Sequence, residues 1–408
     1  MKTDSRNHDA KKTLSDLRDH LARHDKPIAF LFGAGTSCAL RVPDPKDATT
    51  RIALIPAVVA LTDICRDDVA KMGDEFKDAW DSICEHCREL KIDPNVESIL
   101  SRLRMMMSAV GKTDVIYGLD ARKITEMEEC VRKTIARVVV PDLDLLPEDF
   151  AHRRLARWLG KTSRKSPVEI FTLNYDVLLE HGLEAERIPY FDGFVGGYRP
   201  FFHADSLRRL ETAPGASWIR LWKMHGSVNW RRVEQNGRIR VIRDQFDKGG
   251  EMIYPSAQKY DESRQQPYTA FADRLSRFLE QDDAILITAG FSFGDEHIND
   301  LVFSALENRP RTHVYVLNFS EIADDCHLAK YAMQRPNMLI LSRDTGVIGG
   351  RRCAWEPSDC PEFMNEVFEV YESSPPSAPG KDDAVLAGRM KIGDFDAFSR
   401  FLDLMAAG

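Results

Sequence analysis

The chain lacks a long apolar run. No stretch approaches the roughly 18 apolar residues that a membrane-spanning helix needs, and the first residues, MKTDSRNHDAKK, are polar and of mixed charge. A secretory signal would need an apolar segment at this place. These two absences exclude a transmembrane protein and predict a cytoplasmic location, without a membrane partner.

Cysteine is also scarce, and acidic residues outnumber basic ones by 64 to 56. The eight cysteines among 408 residues are scattered, a pattern that fits reduced thiols better than a disulfide framework. Cys84 and Cys87 form a C-x-x-C, but Cys65 and Cys130 stand at spacings unlike those of a zinc ribbon, so we expect no metal. The net charge of −8 argues against direct binding of nucleic acid.

The residues that are present predict a mostly parallel α/β sheet of the Rossmann-like class. Hydrophobic residues make up 43% of the chain, and β-rich apolar runs alternate with helical or loop segments. The gap between the first two runs predicts a large α-helical insertion. The runs lie at residues 28–32, 168–173, 284–288, 314–317 and 338–341.

The same patterns predict a division of the chain. Residues 1–50 and 166–350 form the Rossmann-like domain, residues 51–165 the helical insertion, and residues 351–408 an extension with a Ser/Pro-rich linker at 372–379. A helical apolar stripe in the insertion and another in the tail support this division, and a hairpin is expected around residues 235–237. The stripes are Val96, Ile99, Leu100, Leu103, Met107 and Val110, after an N-cap at Asp93, and Phe395, Phe398, Leu402 and Met405.

One short stretch, LFGAGTSCAL at residues 31–40, suggests a nucleotide site. Gly33 and Gly35 permit a tight turn and close approach to a pyrophosphate, with the following N–H groups free to donate. Cys38 occupies the place of the third glycine in the usual fingerprint. Alone, the stretch fits an ordinary strand-to-helix turn about equally well.

Four further stretches lie at the ends of strand-like runs. In an open α/β sheet, ligands bind at the carboxyl edge of the strands, so five such loops can converge on one crevice. The four are FTLNYD at 171–176, KMHGS at 223–227, TAGFSFGD at 288–295 and VLNFS at 316–320.

Taken in order, these stretches resemble the motifs of the sirtuin family. The family's G-A-G-x-S and P-D elements correspond to residues 33–37 and to Pro43 and Asp44, its T-Q-N-I-D to residues 172–176, and its H-G to His225 and Gly226. Its G-T-S element corresponds to residues 290–292, and its I-N element to residues 317–318. The resemblance implies a dinucleotide site that contains Gly33, Ala34, Gly35, Thr36, Ser37, Asp44, Gly290, Ser292 and Asn318.

Two departures point to a subclass. Residues 227–289 contain no cysteine, so the zinc module common in protein-deacylating sirtuins is absent, and the P-D pair is followed by Pro45 and Lys46 instead of Phe and Arg. The chain thereby resembles the bacterial sirtuin-like effectors of anti-phage defence, which hydrolyse NAD. That resemblance implies NAD as substrate, a homo-oligomer, and a HerA-type ring ATPase as partner. The insertion and the tail helix are the two candidate surfaces for the partner, and docking of the tail on its own subunit is an equally good expectation.

Three side chains are suited to cleavage of the nicotinamide–ribose bond. Asn174 can orient ribose or water by hydrogen bonds, His225 suits a general base near neutral pH, and Asp176 can orient its loop or the ribose. Other interpretations exist: Asn174 could cap a helix starting at Tyr175, and His225 could be a turn histidine. We expect His297 to be a surface helix residue.

Three functions are consistent with these residues. The first is an NAD glycohydrolase. The second is an NAD-dependent protein deacylase or ADP-ribosyl transferase, which needs a groove for a substrate peptide. The third is a catalytically silent sensor of NAD or ADP-ribose.

Overall fold

The structure is a computed structural model of the chain. It describes residues 7–44, 47–209, 212–235, 237–244, 251–252, 266–323, 325–373 and 385–407.

A nine-stranded sheet organises the molecule, in the order β17-β16-β15-β14-β13-β1-β4-β8-β5. From β15 to β5 neighbouring strands pair in parallel, and β16 and β17 add antiparallel pairs at one edge. The prediction of a mostly parallel sheet is confirmed. Its strands are β1 (Ile28–Phe32), β4 (Glu169–Thr172), β5 (Tyr190–Phe191), β8 (Ile219–Lys223), β13 (Ile285–Ala289), β14 (His313–Leu317), β15 (Met338–Leu341), β16 (Thr345–Ile348) and β17 (Arg351–Ala354).

Short antiparallel sheets surround this one. The predicted hairpin is present, since Gln235 pairs with Arg238, although Asn236 lies outside the described residues. The sheets are β10-β11-β7-β6, β12-β9, β18-β19 and β2-β3, built from β2 (Arg41–Asp44), β3 (Asp47–Ala53), β6 (Phe194–Val195), β7 (Phe201–Phe202), β9 (Gly226–Ser227), β10 (Trp230–Gln235), β11 (Arg238–Arg243), β12 (Glu251–Met252), β18 (Phe368–Ser373) and β19 (Val385–Met390).

Helices cover the sheet and fill the connection between β1 and β4. They are α1 (Ala10–Ala22), α2 (Ala34–Cys38), α3 (Val58–Ala70), α4 (Asp74–Glu89), α5 (Val96–Ala109), α6 (Ala121–Val139), α7 (Ala151–Gly160), α8 (Leu178–Ala185), α9 (Asp205–Arg208), α10 (Tyr268–Leu279), α11 (Glu296–Asn308), α12 (His327–Gln334) and α13 (Phe395–Ala407). Among the described residues no helix is long and apolar enough to cross a bilayer.

The two faces of the sheet bury separate cores, as alternation along β1 requires. Phe30 and Phe32 pack in one cluster with residues of α1, α7 and α13, whereas Ala29 and Leu31 pack in the other with residues of α10, α11 and α12. Every residue of β1 is buried. A strand covered on both faces is apolar throughout, which explains the unbroken run in the sequence.

Helices α3 to α6 form a third cluster, which also includes residues near the carboxyl edge of the sheet. Val177, Leu178 and Val228 pack in it beside residues of these helices. Helices α3 to α6 therefore contribute a helical body that packs against the loops after β4 and β9. The domain boundaries themselves stay predictions.

Two details predicted for α5 are wrong. The N-cap is Asn95 and not Asp93, because the Asn95 side chain accepts hydrogen bonds from the N–H groups of Glu97 and Ser98. The buried stripe includes Met106, whereas Met105 and Met107 are exposed. Helix α5 starts two residues later than the sequence predicts, which accounts for the wrong N-cap.

The tail helix α13 forms as predicted, but its apolar stripe is not an open surface. Phe395, Phe398 and Leu402 are buried against the sheet and α7. Arg154 of α7 bonds Ser399 Oγ at 3.0 Å and also pairs with Asp396. The tail therefore docks on its own chain. Of the predicted linker, Glu372 and Ser373 belong to β18 and the remaining residues lie outside the described part.

Candidate functional site

Five neighbouring strands supply the loops of the candidate site. In the order β14, β13, β1, β4, β8 they are adjacent and parallel, so their carboxyl ends meet at one edge. The loops that follow them contain the five stretches singled out in the sequence. The predicted convergence of these loops at one edge is therefore present in the fold.

The loops after β1 and β13 touch through glycine. A Cβ on Gly35 would lie 2.6 Å from Gly290 Cα, and one on Gly33 would lie 2.7 Å from Phe291 Cα. Gly290 has a φ of +61°, a conformation that favours glycine. The glycines thus allow two loops to pack backbone against backbone.

This packing corrects one expectation for the first loop. The N–H groups of Gly35 and Thr36 are not free to donate, because they bond Gly290 O and Gly33 O, both at 3.0 Å. The close approach that Gly33 and Gly35 permit is to the neighbouring loop. A role of this loop in binding a dinucleotide stays a prediction.

Asn174 connects the loop after β4 to the loop after β1. Its side-chain Nδ2 is within hydrogen-bond distance of Gly33 O at 3.1 Å, Thr36 Oγ1 at 2.9 Å and Ser37 Oγ at 2.8 Å. The side chain is buried, as are Thr36 and Ser37. The alternative that Asn174 caps a helix starting at Tyr175 is wrong, since α8 begins at Leu178.

Asp176 holds the same two loops together. Its Oδ2 accepts a hydrogen bond from Ser37 Oγ at 2.6 Å, and its Oδ1 accepts one from Leu178 N at 3.0 Å. The carboxylate is buried. An orienting role for Asp176 therefore has a geometric basis, and Asn174, Asp176, Thr36 and Ser37 form one cluster.

His225 lies after β8 and faces the loop after β13. Its Nε2 is 3.0 Å from Asp295 Oδ2, and both side chains are buried. The imidazole ring centroid is 6.5 Å from that of Tyr175, the residue between Asn174 and Asp176. The histidine therefore lies near the loop after β4, and its Nε2 is within hydrogen-bond distance of a carboxylate.

A buried ion pair supports the backbone of the loop after β4. Lys223 Nζ pairs with Glu180 Oε1 at 2.9 Å and also donates to Asp176 O. Burial raises the pKa of Glu180, while the Lys223 charge opposes that shift. Lys223 thus fixes the chain direction immediately after Asn174.

The other predicted cofactor residues occupy separate positions. Asp44 ends β2 at the tip of the β2–β3 hairpin. Ser292 is exposed in the loop after β13. Asn318 follows β14, where its Nδ2 donates to Ser320 O at 2.7 Å. Ala34 is the first residue of α2. Their roles in binding a dinucleotide stay predictions.

Other expectations concern residues outside this cluster. His297 is exposed in the first turn of α11, as predicted. Cys84 and Cys87 are buried on α4, and all eight cysteines are free thiols. Within the described residues no group of three or more His, Cys, Asp or Glu side chains is arranged to hold a metal.

Asp295 is the functional candidate that the sequence analysis passed over. It ends the stretch TAGFSFGD and is the N-cap of α11, and an aspartate before a helix is usually explained by capping alone. The available signal was its position at the end of a strand-loop segment beside the other motifs. Lys223 was missed because a lysine at a strand end is ordinarily exposed.

The family comparison agrees with this geometry. Residues 168–336 match the model of the SIR2-like domain family, a segment that includes the loops after β4, β8, β13 and β14 but not the loop after β1. No match was found among curated proteins. SIR2-like domains are in general NAD-dependent, which supports an NAD-related activity. Residues 168–336 are thus similar to the SIR2-like domain family, over less than half of the chain.

Proposed function

We propose that the protein is an NAD glycohydrolase that cleaves NAD to nicotinamide and ADP-ribose. The observation that carries this proposal is the buried cluster at the carboxyl edge of β1, β4 and β8. There Asn174 bonds the Gly33–Ser37 loop, and His225 follows the adjacent strand. A SIR2-like match that includes the loops after β4 and β8 supports NAD as the substrate.

In the proposed reaction water attacks C1′ of the nicotinamide ribose. The C1′–N bond breaks and its electron pair passes to nicotinamide, which neutralises the pyridinium charge. The proton of the attacking water passes to His225 as general base. Asn174 orients the ribose or the water without adding charge, and Asp176 holds the loop through Ser37.

The geometry is suited to this division of roles. Asn174 is buried, and the two N–H donors of its Nδ2 face three acceptors within hydrogen-bond distance, so its amide is positioned before substrate arrives. His225 is buried beside a carboxylate that can stabilise the imidazolium formed on proton transfer.

We further propose an anti-phage effector role with a HerA-type ring ATPase and a homo-oligomeric assembly, on the basis of the sequence resemblance. Burial of the tail stripe leaves the helical insertion as the surface for a partner. The insertion packs on Val177 and Val228. Association at the insertion would thereby act on the loops that contain Asn174 and His225.

The test is an assay of nicotinamide release from NAD by the purified protein, with and without an acetylated peptide. Release of nicotinamide and ADP-ribose in equal amounts without peptide is the expected result. Release that depends on peptide would instead support a deacylase or transferase. Binding of NAD without release would support a sensor and contradict the proposal.

A further inference from the structure

We infer that Asp295 is a positioning residue that fixes the His225 imidazole with its proton on Nε2. The inference rests on the proposed function, because it assigns the orientation of the proposed general base. The residue acts through His225 and needs no contact with substrate.

The Asp295 carboxylate is itself held in place. Its Oδ1 accepts hydrogen bonds from His297 N at 3.1 Å and Ile298 N at 3.3 Å in the first turn of α11. Its Oδ2 is 3.0 Å from His225 Nε2. Since one oxygen is anchored on a helix end, the direction of the other is fixed.

An ionised carboxylate can only accept hydrogen bonds, so the nitrogen facing it must carry the proton. A neutral imidazole that donates from Nε2 accepts at Nδ1. Asp295 therefore selects Nδ1 of His225 as the nitrogen that takes a proton. After the transfer, the carboxylate stabilises the imidazolium without becoming protonated.

The same residue links His225 to the loop after β13. That loop begins at Gly290, which packs on Gly33 and Gly35, and it ends at Asp295. The histidine is thus held by the loop that packs against the first motif. The loop after β13 therefore connects the proposed base to the loop that contacts Asn174.

The variant Asp295→Asn tests the inference because asparagine remains a good N-cap but offers an amide to His225. An amide that donates to Nε2 favours the other tautomer. We expect kcat for nicotinamide release to fall roughly 100- to 10,000-fold, with little change in KM and in thermal stability. A kcat near that of the wild type would overturn the inference.

A matched control makes the same substitution at the N-cap of a different helix. Asp9 is the N-cap of α1 and accepts from Lys12 N at 2.9 Å, so Asp9→Asn makes the same change at a cap far from His225. Its kcat should equal that of the wild type. An equal loss in both variants would assign the effect to helix capping and overturn the inference.

A spectroscopic measurement separates this inference from the proposed function. Imidazole 15N shifts of His225, assigned by their loss in His225→Gln, should show Nε2–H in the wild type and Nδ1–H in Asp295→Asn. Unchanged shifts would overturn the inference even if the wild type released no nicotinamide. Absence of release with the expected shifts would reject only the proposed function.

Discussion

Gly35 owes its identity to the backbone of a neighbouring loop. A Cβ there would overlap Gly290 Cα at 2.6 Å, and neither partner is a flexible side chain. The sequence indicates the need for a small residue at this position, but the pattern alone suggests a phosphate as the group that approaches it. The difference arises because a sequence shows that space is needed and not what fills it.

This contact predicts a loss of stability for Gly35→Ala. Overlap with backbone should lower the free energy of unfolding by about 1–3 kcal/mol, because one of the two loops must move. Gly215→Ala is the control, since Gly215 has open space around its Cα and an ordinary φ. Urea denaturation of both variants measures the effect. Equal stability of the two would contradict the packing described.

A second prediction concerns the buried His152 of α7. The side chain is fully buried between Phe150 and Phe395, and its Nδ1 has no hydrogen-bond partner among the described residues. Burial lowers the pKa of His152 from 6.5 to about 4. The His152 imidazole therefore stays neutral in the folded protein at pH values where the same imidazole in the unfolded chain takes up a proton.

The sign of the effect follows from this difference. As the pH falls below about 6.5, the unfolded state gains protons and the folded state does not, so stability declines until about pH 4. The wild type should lose roughly 2 kcal/mol more than His152→Phe between about pH 7 and about pH 5. Urea unfolding at both pH values measures this. An identical decline in both proteins would show that His152 is not the cause.

At the scale of elements, the tail helix α13 shows what periodicity can and cannot tell. The spacing of Phe395, Phe398 and Leu402 predicted the helix and its apolar face. It did not identify what that face contacts. An apolar face that binds another protein and one that packs within its own chain have the same spacing. In the structure Phe32 and Phe395 rings lie 5.2 Å apart, so the face completes the core.

This placement predicts a large cost for Phe398→Ala. Phe398 is fully buried, and removal of a buried phenylalanine side chain costs about 3–5 kcal/mol. Leu404→Ala, on the same helix but 45% exposed, should change stability far less. Thermal denaturation distinguishes them. A small effect of Phe398→Ala would mean that α13 does not stabilise the sheet.

Five of the nine strands of the main sheet were predictable as apolar runs, namely β1, β4, β13, β14 and β15. Short apolar runs such as Ile28–Phe32 are buried on both faces in a parallel sheet, so composition alone marks them. Helix ends were less predictable: Asp93 and Asn95 are both capping residues, and only the hydrogen bonds of Asn95 decide between them.

At the scale of the whole molecule, the candidate site depends on contacts between loops distant in the chain. The ordered motifs allowed the sequence to predict that Asn174, Asp176 and His225 share one edge. Asp295 was beyond this reasoning, because its partner lies 70 residues away and the pair forms only when the strand order places both ends together. The helical insertion packs on this edge at Val177, and the segment before α13 packs on it at Gly393, against the Asn318 backbone.

The central claim is that this edge cleaves NAD through Asn174 and His225. Its most direct test measures nicotinamide release by the wild type, Asn174→Ala and His225→Ala, with the exposed His297→Ala as control. We predict equal release by the wild type and His297→Ala, and a fall of at least about 100-fold in the other two, with thermal denaturation confirming that each is folded. Turnover near that of the wild type in either Asn174→Ala or His225→Ala would contradict the claim.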